Sequence, residues 1–96
     1  MAIVQMRDIK FDKLQTASEA MRWRLDAIIQ SEGLNIKLRG PMPATISRIQ
    51  RYHRMQIILQ APDPATLQTL FAALRAGPPI RPAVMTAVDI DPVNLL

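Results

Sequence analysis

The sequence has no cysteine and a single histidine, His53. Disulfides and thiolate metal sites are therefore excluded, and one imidazole assembles no zinc constellation. Glycine is scarce as well: Gly33, Gly40 and Gly77 lie far apart, and no Gly-Lys-Ser/Thr occurs, so no phosphate-cradling loop is present. Ser18, Ser31 and Ser47 lack a nucleophile's surroundings, and one histidine supports no convincing triad. Asp89 and Asp91 stand two apart on one face of a strand, but further oxygen ligands are missing and turn chemistry before Pro92 explains them. The chain is thus expected to be non-catalytic, with no cofactor and no metal. Aromatic residues number four, Phe11, Trp23, Tyr52 and Phe71, so Leu, Ile, Val, Ala and Met must fill the core. No apolar run approaches the roughly 18 residues that span a bilayer. No apolar leader follows basic residues at the start, and the expectation is a soluble, cytoplasmic protein without membrane partners.

Acidic residues are missing from one long stretch, everything between Glu32 and Asp63. The same stretch carries Lys37, Arg39, Arg48, Arg51 and Arg54, with Tyr52 and His53 among the last of them. Leu34, Ile36, Leu38, Ile46, Met55, Ile57 and Leu59 alternate around these charges, a period-two pattern that predicts a β-hairpin with one buried and one basic face. Its turn falls near Gln50-Arg51. Gly40-Pro41-Met42-Pro43 interrupts the first strand, and because alternation resumes at Thr45 a bulge or bend is expected there rather than a loop. Twelve basic against eight acidic residues give a net charge of +4, which favours polyanionic partners. A basic sheet face suits phosphate backbones, and equally a well-solvated surface.

The length of 96 residues allows one domain, 1–96, and no second. Residues 2–7 suit a strand. Asp12 is expected to cap a helix whose apolar stripe is Leu14, Ala17, Met21, Leu25, Ile28 and Ile29, with Arg22 and Asp26 paired on the opposite side. Trp23 on this helix is expected to be partly buried. Gly33 is placed to end the helix in the left-handed conformation. Asp63 and Pro64 open a second helix, with Leu67, Leu70, Phe71 and Leu74 inward and Gly77-Pro78-Pro79 beyond. Val84 to Ile90 form a last strand, followed by the short apolar tail Val93-Asn94-Leu95-Leu96. The order strand, helix, strand, strand, helix, strand predicts an α+β, ferredoxin-like split βαβ fold: a four-stranded antiparallel sheet with two helices on one face and residues 54–60 as a central strand.

Two segments resemble a known family. The stretch Gly40-Pro41-Met42-Pro43-Ala44-Thr45 through Arg48-Ile49-Gln50-Arg51-Tyr52-His53-Arg54 to Gln56-Ile57-Ile58-Leu59-Gln60 is similar to part of the primosomal protein N′ family of bacterial replication-restart helicases. The ending Val88-Asp89-Ile90-Asp91-Pro92-Val93-Asn94-Leu95-Leu96 looks like that family's C-terminus. The resemblance implies a C-terminal domain that binds single-stranded or branched (forked) DNA beside a helicase core, near the surface engaging the tail of single-stranded-DNA-binding protein. The motor, nucleotide site and zinc-binding cysteines of such helicases have no counterpart in these residues. Two departures stand out: Ile49 to His53 lacks the family's turn glycine, and Pro64-Ala65-Thr66 lacks basic character. The expected DNA contacts are Arg48, Arg51 and Arg54 on phosphates, Lys37 and Arg39 flanking them, and Tyr52 or His53 stacking on a base. The alternative is a protein-interaction module, whose arginines clamp carboxylates of a helicase core or of the acidic tail of single-stranded-DNA-binding protein.

Overall fold

The computed structural model describes residues 1–49 and 51–90, with backbone alone over 45–49. Its elements are β1 (Ala2–Asp8), α1 (Phe11–Glu32), β2 (Lys37–Ile49), β3 (Tyr52–Gln60), α2 (Pro64–Ala76) and β4 (Met85–Ile90). The sheet order is β2-β3-β1-β4 and every neighbouring pair is antiparallel. This is the expected ferredoxin-like arrangement, with β3 between β2 and β1.

Capping fixes where the helices begin and end. Asp8 Oδ2 accepts a bond from the Lys10 backbone N–H at 2.9 Å, turning the chain out of β1. Helix α1 therefore starts at Phe11, with Lys10 at its cap position and no side-chain cap. The expectation that Asp12 caps the helix is corrected: Asp12 lies within the first turn, where a carboxylate still complements the helix dipole. Gly33 ends α1 with φ 62° and ψ 38°, and the Leu34 N–H reaches back to the Ile29 carbonyl at 2.9 Å. At α2, Asp63 accepts from the Thr66 backbone N–H and hydroxyl, both at 2.8 Å, and Pro64 takes the first helical position. These bonds hold the Asp63 carboxyl below its ordinary value, the Thr66 hydroxyl contributing most.

The core lies between the helices and one sheet face. Ala2, Val4 and Met6 of β1 and Met55, Ile57 and Leu59 of β3 point into it. Leu14, Ala17, Met21 and Leu25 of α1 and Leu67, Leu70 and Phe71 of α2 meet them. Full burial of one such Leu or Ile stabilises the fold by about 1.5–3 kcal/mol. Trp23 departs from the expectation: it is 78% exposed. Two residues past Met21 and two before Leu25, it sits about 200° around the helix from both, on the outward side.

Strand β2 runs through the Gly-Pro segment without ending, shifting register between Arg39 and Met42 and again between Pro43 and Arg48. The expected bulge is there. Gly40 takes φ +108°, and a Cβ on it would lie 2.8 Å from the Gln56 carbonyl oxygen. Arg22 ties α1 to this point: Nε bonds Asp26 Oδ2 at 2.9 Å, the expected pair, and Nη1 donates to the Gly40 carbonyl. Ile49 pairs with Tyr52, so the chain reverses between them. Gln50 lies outside the described residues, as do Asp91 and the Val93–Leu96 tail. The last strand begins at Met85, one residue later than expected, and all its residues are exposed.

Candidate nucleic-acid interface

The sheet face away from the helices is set by alternation. When Ala2, Val4 and Met6 point to the core, Ile3, Gln5 and Arg7 point outward; when Met55, Ile57 and Leu59 point inward, Tyr52, Arg54, Gln56 and Ile58 point outward. Residues paired across antiparallel strands share a face. Lys37 opposite Gln60 and Arg39 opposite Ile58 therefore join this open face, as do Met85, Ala87 and Asp89 from β4.

Arg7 of β1 and Arg54 of β3 are directly opposite each other. Like charges so placed repel, and each guanidinium is oriented by a neighbour on the same face. Arg54 Nη2 donates to Gln5 Oε1 at 2.7 Å, while the Arg7 guanidinium lies over the Tyr52 ring, 5.0 Å from its centroid. Among the described residues the acidic one on this face is Asp89, which pairs with Ile3, four residues from Arg7 along β1, or roughly 13 Å at the strand rise. The ion pairs of Lys13 with Asp8 and of Arg22 with Asp26 both involve helix α1. The Arg7–Arg54 end of the face is thus a cationic cluster with rigid support, a geometry suited to anions.

The sequence-predicted residues divide. Lys37, Arg39, Tyr52 and Arg54 share the open face, and exposed Arg51 sits in the turn beside it. Arg48 pairs with His53, and its side chain lies outside the described residues. His53 turns the other way, in phase with Met55, and its ring meets the Phe11 ring edge-on at 5.4 Å. There it packs on the start of α1. Tyr52 and His53 therefore do not act on one surface. Arg7 and Gln5 were missed by the sequence reading. Their outward phase is visible in the alternation of residues 2–7, but their place beside Arg54 depends on β1 pairing with β3.

Among the described residues no group of three or more His, Asp or Glu side chains stands ready to hold a metal ion, and no helix is long and apolar enough to cross a membrane. Fold and surface together define a ferredoxin-like α+β domain with an open, basic sheet face. The family model for the primosomal protein N C-terminal domain matches residues 3–93, and the chain belongs to that family. Membership connects it to replication restart and to the primosome, with DNA and primosome components as the general class of partner. The resemblance to this family is thereby borne out over residues 3–93. Among curated proteins none matches the chain.

Proposed function

We propose that the chain is a non-catalytic domain, residues 1–96 acting as one unit, that binds single-stranded or forked DNA in replication restart in the cytoplasm. It grips backbone phosphates with Arg7 and Arg54 at one end of the open face and Lys37 and Arg39 at the other. Arg48 and Arg51 extend the grip along the hairpin. Tyr52 acts through Arg7, which it holds flat against the sheet. The observation that carries this reading is the cross-strand Arg7–Arg54 pair, with Arg54 bonded to Gln5 and Arg7 lying over the Tyr52 ring. Fork recognition of this kind reads shape and backbone rather than sequence. Titrating the ¹⁵N-labelled chain with an unlabelled oligo-dT tests it by nuclear magnetic resonance. Shifts should concentrate at Gln5, Arg7, Tyr52 and Arg54; shifts confined to α1 and α2 would contradict it.

A second reading, docking of a helicase core or of the acidic tail of single-stranded-DNA-binding protein, draws on a different surface. A groove of about 520 Å³ runs between the end of α2 and the proline-rich crossing, lined by Met21, Leu74, Pro79, Ile80 and Val84, with Arg75 at its side. Apolar walls beside a cation suit an acidic peptide with an apolar end. Binding of such a peptide that Arg75→Glu abolishes, without effect on DNA binding, would assign the two ligands to two surfaces.

A further inference from the structure

The open face carries a hollow beside the arginine pair. It lies between β1, β3 and β4, has a volume of about 390 Å³, and is lined among others by Gln5, Arg7, Arg54, Met85 and Ala87. This volume lies in the range of small-ligand sites, roughly 300–1,000 Å³. Its two sides differ in chemistry. The β1–β3 side presents two guanidinium groups, and the β4 side presents the Met85 side chain, 52% exposed, and the small Ala87.

Gln5 has a fixed orientation here. An arginine only donates, so the Gln5 atom 2.7 Å from Arg54 Nη2 is its carbonyl oxygen. Its amide NH₂ is therefore left as the donor on the other branch of the side chain. Each nucleobase carries ring-nitrogen or carbonyl acceptors, so a lone amide donor holds a base without choosing among them.

We infer that this hollow receives one unstacked nucleotide of a single strand, with the phosphate on Arg7 and Arg54 and the base against Met85 and Ala87. Gln5 donates to the edge of the base. This rests on the proposed DNA-binding reading and adds that the base itself is contacted. A paired base is held in its stack and does not enter. The domain is then selective for unpaired DNA, which a fork offers at its junction. Open four-stranded sheets elsewhere use the same principle when they stack bases of single strands on their exposed face.

The test compares three probes of equal length and label: oligo-dT, the same backbone with abasic sites throughout, and a duplex. The full chain should bind oligo-dT about tenfold more tightly than either of the others, in line with the contribution of one contacted base. Ala87→Leu fills the hollow and should bring oligo-dT down towards the abasic strand. Met85→Ser removes the apolar wall, should act in the same direction, and provides a second variant should the first fold poorly. Equal binding of oligo-dT and the abasic strand by the unaltered chain overturns the inference while leaving backbone binding in place. So does a duplex bound as tightly as the single strand, or full oligo-dT affinity in both folded variants. No binding to any probe overturns the DNA-binding reading as well.

Discussion

At the scale of single residues, Asp63 offers the cleanest link between local chemistry and stability. Its carboxylate accepts two bonds from Thr66, which favour the charged form and lower its pKa from 3.8. The stabilisation is therefore present above the unfolded-state pKa and lost as pH falls through the lower folded-state value. Asp63→Ala should lower the melting temperature at pH 7, and its difference from the unaltered chain should narrow below about pH 3.8. A difference that persists undiminished at pH 2 would contradict this. Asp63, Pro64 and Gly33 were legible in the sequence because a cap is made by residues within a few positions of one another. Arg7 was not. Its significance comes from lying opposite Arg54, far away in the chain, and no local pattern carries that pairing. Trp23, expected to be partly buried, is placed outward by its phase relative to Met21 and Leu25.

At the scale of elements, β2 bends around Gly40. Two independent features require glycine there: the φ of +108° and the carbonyl of Gln56, which a Cβ would meet at 2.8 Å. Gly40→Ala should cost about 1–3 kcal/mol in urea unfolding, since backbone strain of this kind is of that order. A loss below about 0.5 kcal/mol, the level of an ordinary surface substitution, would show that β2 bends without it. The alternation around the Gly-Pro segment was enough to predict a bulge, because it resumes beyond it. The start of α1 was not read correctly, because Asp8 turns the chain before Asp12 is reached. The hairpin's charges were legible as a set, while the placement of Tyr52 and His53 on opposite faces was not. A one-residue step separates Tyr52, under Arg7, from His53, against Phe11. Only the register relative to Met55 and Leu59 distinguishes them.

At the scale of the whole molecule, the two helices cover one side of the sheet and leave the other to solvent, with the basic groups gathered on it. Setting aside the pairs of Asp8 with Lys13 and of Asp26 with Arg22 leaves the net charge of +4 unchanged. Fold class followed from the order of elements, each marked by its own period and punctuation. The surface needed the structure, because a binding face assembles residues from several strands. The most direct measurement is fluorescence anisotropy of a labelled forked oligonucleotide across a salt series, for the chain and for Arg7→Ala/Arg54→Ala. Five neutralised phosphates on a single strand, one of them shared by Arg7 and Arg54, give a slope of log affinity against log salt of about −3.5, and the double variant should bind more weakly with a slope shallower by about 0.7. An unchanged affinity and slope in the folded double variant would contradict DNA binding by the open face.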